Sequence, residues 1–325
     1  MLCPVLRWLS YGRESSTVRV YPKTWYVCLL MILIGFWMSD KPLVQQALAS
    51  ELADLLLIIS NTTSSFNFLR GFWTTLVREW NGIDRLRYVH PPRCHRADLK
   101  VPRMDKYYML VRRFVNASFR LLLRDHWQEV SCNEYNNILT QAGGPLWSVH
   151  LGVNHTCMSS RNPSSPDDIR VPTSLAFHLA DIYLEELDKS FAEDDLSPVP
   201  LSLILSPFFT LASRTQASAT YKQVQQSVFE PLFSSLKPPI ASEEARSRKK
   251  PRLDLDYPNL VSNCCFEDPK EKAFGNAKLR KSLLRRLFEV ASNEETRDSS
   301  RRKMYAFFKA AKEDGDESDD EPDNW

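Results

Sequence analysis

The sequence predicts an all-α fold of stacked antiparallel helices, a helical-repeat array of the HEAT or armadillo kind. Three observations carry this expectation. Apolar residues recur at three- and four-residue steps through most of the chain. No segment alternates apolar and polar residues as a half-buried strand does. Nine glycines stand against twenty prolines, which suits neither a sheet-rich fold nor a glycine-rich phosphate cradle. With 325 residues, 43% hydrophobic and 25% charged, the chain can bury a sizeable core. No internal repeat is crisp enough to set a period.

The helices follow in order. From Lys41 onward, Val44, Leu48, Leu52, Leu55, Leu56 and Ile59 form one stripe, with Asp40 as N-cap and Pro42 in the first turn. A second helix is expected over 64–79, with Phe68, Phe72, Trp73, Leu76 and Trp80 on one side. A third runs from about Asp105 to Arg124, where Tyr107, Leu110, Val111, Phe114, Ser118, Phe119 and Leu122 face one way. Lys106, Arg112, Arg113, Asn116, Arg120 and Arg124 face the other. A fourth covers 174–191, with Leu175, His178, Leu179, Ile182, Tyr183, Glu186 and Leu187 near one stripe. Helices at 201–212 and 219–236 are expected next. Residues 278–291 place Leu279, Leu283, Leu284, Leu287 and Phe288 together, opposite Arg280, Lys281, Arg285 and Arg286. A last helix is expected over 296–312.

Composition divides the chain. Residues 36–236 read as the helical domain and 237–269 as a linker rich in proline, serine and charge. Residues 270–312 read as basic helices and 313–325 as a disordered acidic tail. The net charge of +2 hides an asymmetry: residues 246–312 carry eighteen Lys/Arg against nine Asp/Glu, and the tail that follows is mostly acidic. A basic segment beside an acidic one suits work among nucleic acid and basic proteins. Seven irregularly spaced cysteines imply free thiols in a reducing compartment, so the Asn-x-Ser/Thr matches at Asn61, Asn116 and Asn154 are chance. The apolar run from Trp25 to Met38 is about fourteen residues, short of the ~20 a spanning helix needs. No membrane anchor is expected.

No phosphate loop, dinucleotide fingerprint, nucleophile elbow or zincin motif occurs. Cys94 and His95 are adjacent, and with His90 they lack the paired spacing of a zinc site; His150, His155 and Cys157 lie in a separate tract. No metal, cofactor or small-molecule substrate is expected. The carboxylate pairs Asp167/Asp168, Glu185/Glu186 and Asp194/Asp195 read as helix-surface or cap residues. Asp84 with Arg85 and Arg87, and Lys106 with Arg112 and Arg113, read either as ion pairs between helices or as a basic ridge that touches phosphate or a partner. Arg120 extends that ridge. The second candidate contact surface is Lys278, Arg280, Lys281, Arg285 and Arg286. The cluster Arg246, Arg248, Lys249, Lys250 and Arg252, with a proline inside it, reads as a nuclear localisation signal for an acidic import receptor.

Several stretches carry a resemblance. FWMSDKPLVQQALASELADLLL, FWTTLVREWNGIDRLR, MDKYYMLVRRFVNASF, DDIRVPTSLAFHLADIYLEELDKS and KLRKSLLRRLFEVASNEETRDSSRRKMYAFFKA resemble the ribosomal RNA-processing protein 1 family in its fungal form. The most distinctive words are W-x-G-I-D-R-L-R and D-K-Y-Y-M-L-V-R-R-F. The resemblance implies an all-helical nucleolar protein needed for pre-rRNA processing, without a known active site. It further implies association with large-subunit preribosomal particles, their pre-rRNA and early assembly factors. A general nuclear helical adaptor and a metal-dependent RNA nuclease are the alternative readings. Three tracts depart from the family pattern: 1–35, 88–103 and 147–165. The last two interrupt words that should follow closely and carry prolines without helical periodicity. All three tracts read as translated intron or gene-model error: at 88–103, Arg-Tyr-Val can encode a splice donor, Ala-Asp-Leu a branch site and Pro-Arg an acceptor.

Overall fold

The computed structural model describes residues 32–39, 41–85, 103–147, 172–191, 197–237, 257–267 and 275–313. The departing tracts at 88–103 and 147–165 fall almost wholly outside them, as do most of 1–35, the basic cluster at 246–252 and the acidic tail. Residues 32–37 are helical. Then come α1 (Pro42–Ile58), α2 (Thr62–Arg85), α3 (Arg103–Arg124), α4 (Glu129–Thr140) and α5 (Thr173–Ser190). A two-residue strand β1 (Val199–Pro200) leads into α6 (Leu201–Ile204), α7 (Ser206–Arg214) and α8 (Ser218–Val224). A π-turn (Gln225–Phe229) joins α8 to α9 (Glu230–Ser235). After α10 (Pro258–Ser262) and β2 (Cys264–Cys265), the hairpin α11 (Asn276–Ser292) and α12 (Asp298–Glu313) closes the described chain. The expected all-α architecture is what the chain adopts; the only sheet among the described residues is the parallel pairing of Val199 with Cys264 and Pro200 with Cys265.

The central helix is α3, which packs on α1 along one side and on α5 along the other. Its buried residues therefore wrap more than one face: Leu110, Val111, Phe114, Val115, Phe119 and Leu122 are all at most 1% exposed. α1 meets it through small residues. Ala49 and Ala53 are buried and Val44 is exposed, while Leu55 and Leu56 of the expected stripe are buried and Leu48, Leu52 and Ile59 are half-buried, so the contact face is the expected stripe turned slightly toward the alanines. Alanines let the two backbones approach where leucines would hold them apart. Pro42 does open α1, but the N-cap position is Lys41, which makes no side-chain cap bond. α2 begins earlier than expected because Asn61 caps it, accepting from the Ser64 amide at 3.2 Å. Ser65 Oγ then donates to the Leu56 carbonyl at 2.9 Å, fixing the turn between α1 and α2.

α4 has no counterpart in the sequence reading. Its text, EVSCNEYNNILT, is rich in residues that compete with helix for backbone hydrogen bonds. The missed signal is the spacing of Cys132, Tyr135, Ile138 and Leu139, which are all buried. Two consecutive left-handed residues, His126 and Trp127 (φ 52° each), turn the chain from α3 into α4. Such residues are held only where surroundings over-determine them. Trp127 is fully buried and its Nε1 donates to the Ser197 carbonyl at 3.2 Å. After α4 the chain doubles back: the Leu146 amide donates to the Leu139 carbonyl at 2.9 Å. Gly144 permits this, since a Cβ there would lie 2.4 Å from the Ile138 carbonyl oxygen and 2.5 Å from that of Leu139. Gly144→Ala is therefore expected to destabilise the fold by about 1–3 kcal/mol in denaturant unfolding; an unchanged midpoint would contradict this close approach.

The helix expected over 201–212 is broken into α6 and α7 at Leu205, with Pro207 in the first turn of α7. The helix expected over 219–236 is continuous but widens to a π-turn at 225–229, where the Glu230 amide bonds the Gln225 carbonyl. Pro231 explains it: proline lacks the amide and its ring would strike the carbonyl four residues back, so the ladder slips by one residue. The stretch expected as linker includes an ordered piece. Residues 257–267 dock on the body, with the Leu260 amide donating to Asp188 Oδ1 at 2.8 Å and the Val199 amide to the Asn263 carbonyl at 2.9 Å. The α11–α12 hairpin is likewise part of the main core. It packs on α7, and Phe307 sits against Phe229 and Phe233 at 6.1 and 5.6 Å between ring centroids.

Candidate nucleic-acid and partner interface

The basic residues divide by what they touch. On α3, Arg112 lies against α5, with its guanidinium 2.6 Å from Glu185 and 2.9 Å from Glu186. Lys189 reaches the same carboxylates at 2.6 and 3.3 Å, and Asn116 donates to the Glu186 carbonyl at 3.1 Å. Glu186 is 2% exposed, so the pair read as surface carboxylates contains one buried anion held by two cations. Burial works to raise the Glu185 carboxyl, but hydrogen bonds from Lys189 and Arg112 outweigh it and hold that group below its ordinary value. Of the two readings open for Arg112, the geometry supports the ion pair between helices. Arg120 also bridges helices, 3.3 Å from Asp54 on α1. Arg113, one position on from Arg112, is exposed.

Lys106, grouped with that ridge in the sequence, is turned inward. It is 5% exposed, and its ammonium donates to the carbonyls of Phe36, Trp37 and Ser39 at 3.3, 2.5 and 3.2 Å. Those carbonyls end the helical turns at 32–37, so Lys106 satisfies a helix C-terminus with a cation. Asp84 and Arg85 have described backbones only, and Arg87 lies outside the described residues.

The α11–α12 hairpin sorts its cations differently. Arg280, expected opposite the leucine stripe, is 6% exposed and donates to the Ala311 carbonyl in the last turn of α12. Arg301 ends α11 in the same manner: its guanidinium donates to the carbonyls of Ala291, Asn293 and Thr296 at 3.1, 3.0 and 3.1 Å. Lys278, Lys281 and Arg285 point outward and are exposed, with Arg286 half-buried beside them. Arg285 and Arg286 both approach Glu289, at 3.5 and 3.4 Å. Exposed pairs of this kind are weak and are readily exchanged for a phosphate. The same edge carries Phe288, 43% exposed, within 5.3 Å of Tyr305 and 5.2 Å of Phe308 between ring centroids. The four outward residues thus form a positive edge with a partly open aromatic cluster, while Arg280, which the sequence reading grouped with them, is turned inward.

His178, on the α5 stripe, is a half-buried polar group of another kind. Its Nε2 lies 3.1 Å from the Tyr108 carbonyl and its ring 4.3 Å from that of Tyr108. Burial pushes its pKa below the ordinary value, against the opposing pull of the Tyr108 hydrogen bond. The unfolded imidazole therefore takes up a proton before the folded one does. This stability is complete above the unfolded pKa of about 6.5 and is lost as pH falls through that value toward the lower folded one. Equilibrium unfolding between pH 7.5 and 5.5 is expected to show this slope, and His178→Gln to flatten it; a slope identical in the variant would refute the assignment.

Burial raises the Cys132 and Cys264 thiols to about 12 each, which makes them poor nucleophiles. No group of three or more His, Cys, Asp or Glu placed to hold a metal occurs among the described residues. No helix among them is long and apolar enough to cross a membrane. The cluster at His90, Cys94 and His95 lies outside them, as do His150, His155 and Cys157.

The chain is 29% identical over 230 residues to human ribosomal RNA processing protein 1 homolog B, covering 70% of this chain and 25% of that protein. It is 31% identical over 208 residues to human homolog A (64% of this chain, 36% of that protein). With the Dictyostelium discoideum homolog it shares 25% identity over 207 residues (64% and 38%). This chain thus spans roughly a quarter to two fifths of the length of these relatives. The Nop52 nucleolar protein model matches residues 32–88 and 98–308, with its gap inside the tract 88–103 and no break at 147–165. That match covers well over half of the sequence, from the helical turns that Lys106 anchors to the aromatic cluster on α12, and the chain belongs to the Nop52 family of nucleolar proteins.

Proposed function

We propose that this protein is a non-enzymatic assembly factor of the large (60S) ribosomal subunit, required for pre-rRNA processing because it holds preribosomal RNA and neighbouring assembly factors in place. Its family membership, with relatives named for ribosomal RNA processing, supports the setting. The observation that carries the mechanism is the sorting of cations. Arg112, Arg120, Lys106, Arg280 and Arg301 are spent inside the array as ion pairs and helix ends, which makes it stiff. Lys278, Lys281, Arg285 and Arg286 lie along one outer edge. Contacts of that type fix the position of a phosphate backbone without reading bases. A stiff array with a basic edge is a positioning device, and it makes or breaks no bond.

Arg246, Arg248, Lys249, Lys250 and Arg252 serve nuclear import in this proposal, bound extended in an acidic receptor groove; deleting 246–252 should disperse a tagged chain into the cytoplasm. Affinity purification from cells tests the whole reading. Large-subunit precursors and their assembly factors should dominate the recovered material. Partners drawn mainly from outside ribosome assembly would favour a general nuclear adaptor instead. Cleavage of precursor RNA by the purified protein with a divalent metal would favour a nuclease.

A further inference from the structure

A groove of about 570 Å³ runs between α9 and the second half of α12. Phe233 and Phe307 form its apolar floor, with Ala306, Ala310 and Ala311 keeping the α12 side low. Three cations line it: Lys237, Arg280 and Lys303. Lys303 is held in place by a 2.9 Å hydrogen bond to Ser218 and by the Tyr221 ring 5.2 Å beneath its ammonium. The single carboxylate in the lining, Glu230, is already bonded by Gln225 at 2.8 Å. The groove is therefore positive, apolar at its base and bounded by fixed side chains, which is the chemistry that takes an acidic extended peptide.

We infer that this groove is a docking site for residues 314–325 of the same chain. This segment carries seven carboxylates, no lysine or arginine, and a single large apolar side chain, Trp325. It leaves α12 three residues after Ala311, at the groove's own rim. Its first two residues, Asp314-Gly315, are a turn-forming pair. A turn there sends the chain back along the helix that lines the groove. The residues 276–313 hold eleven Lys/Arg against five Asp/Glu, a net +6 opposite the −7 of the segment. Docking in cis also adds only a short loop closure, so modest contacts suffice.

The geometry sets a register. Lys303 stands ten residues before Glu313, about 15 Å along the helix at 1.5 Å per residue. An extended chain advances roughly 3.3 Å per residue, so about five residues beyond the turn reach it. Asp319 and Asp320 then fall beside Lys303, while Asp316 and Glu317 lie near Arg280, which bonds the Ala311 carbonyl. The acidic composition that predicts disorder for this segment in isolation also matches the groove that it would fill. The inference is independent of the proposed role in ribosome assembly, because it concerns the purified chain alone.

Zero-length carbodiimide cross-linking of the full chain, read by mass spectrometry, tests it. Lys303 should join Asp319 or Asp320, Lys237 should join an acid of the same segment, and both links should fall several-fold in 0.5 M salt. Mixing ¹⁴N- and ¹⁵N-labelled chains should give links within one isotope only. In a variant with the seven acids changed to Asn or Gln, backbone hydrogen exchange over 231–237 should rise several-fold. Links from the segment to Lys278, Lys281, Lys309 or Lys312 in place of Lys303 and Lys237 would overturn the assignment. So would mixed-isotope links, which would place a second copy's segment in the groove. Exchange unchanged by the seven substitutions would overturn it as well.

Discussion

Phe114→Ala is expected to cost about 3–5 kcal/mol of stability, the range for deleting a buried aromatic ring. Phe114 sits on α3 with 1% exposure. Its ring is stacked on Phe72 of α2 at 3.6 Å between centroids and 2° between planes, with Phe68 at 6.2 Å. α3 packs on α1 and α5 at once, so the void left by the ring cannot be closed by shifting one neighbour without opening a gap against another. Collapse around the site is limited, which places the cost toward the upper part of the range. At roughly 2–4 °C of Tm per kcal/mol for a domain of this size, the loss amounts to about 10 °C. Phe114→Leu retains most of the volume and should cost less than half as much. Thermal unfolding followed by circular dichroism separates the two, and equal losses would contradict the stacked pair as the source.

The second large effect is expected at Arg112, and it also distinguishes a structural arginine from an RNA-binding one. Arg112→Ala leaves Glu186, 2% exposed, with only Lys189 at 3.3 Å. Breaking a fully buried pair typically costs about 3–5 kcal/mol. Because the Arg112 side chain is one-third exposed and Lys189 remains, about 2–3 kcal/mol is expected here. Arg112→Ala with Glu186→Leu should recover part of that loss, since no uncompensated buried charge remains. Arg113→Ala, on the exposed side of the same helix, should change stability by no more than about 0.5 kcal/mol. A stable Arg112→Ala protein that had lost RNA affinity would reverse the assignment.

The elements that the sequence makes plain are those with long stripes of large apolar residues. Phe68, Phe72, Trp73, Leu76 and Trp80 place α2, and Leu279, Leu283, Leu284 and Leu287 place α11, because these side chains mark a buried face at helical spacing whatever packs on it. Where small or polar residues do the packing, the signal is weak. α1 turns Ala49 and Ala53 inward, and α4 is built on Cys132, Tyr135 and Ile138 within a polar text. The π-turn depends on what Pro231 does to a helix that is otherwise continuous, and a pattern of apolar residues does not register a one-residue slip.

The same limit governs the basic residues. Lys106, Arg112 and Arg280 occupy the polar side of their helices by periodicity, yet each ends on a carbonyl or carboxylate of another segment. Whether a cation faces water or a neighbouring helix is decided by tertiary packing, and long side chains can reach around a helix to either. Lys281, Arg285 and Arg286 differ from Arg280 by rotation about one helix axis. The family words, by contrast, were readable directly: the D-K-Y-Y-M-L-V-R-R-F stretch contains Lys106, Tyr107, Tyr108, Arg112 and Phe114. These residues anchor the 32–37 turns, hold His178, pair with α5 and stack on Phe72.

The most direct test of the account measures large-subunit precursor rRNA recovered with the tagged chain from cells that depend on it. The wild-type chain is compared with the variant Lys281→Glu, Arg285→Glu, Arg286→Glu. Lys281 and Arg285 are exposed and Arg286 is half-buried, and the pairs of Arg285 and Arg286 with Glu289 are of the weak surface kind, so the variant should lose little in Tm. The wild-type protein should enrich large-subunit precursors, and the variant should recover at least about tenfold less of them, with a weaker dependence on salt. Equal recovery by the two proteins, or enrichment of unrelated RNA by the wild type, would contradict a scaffold that holds the precursor by this edge.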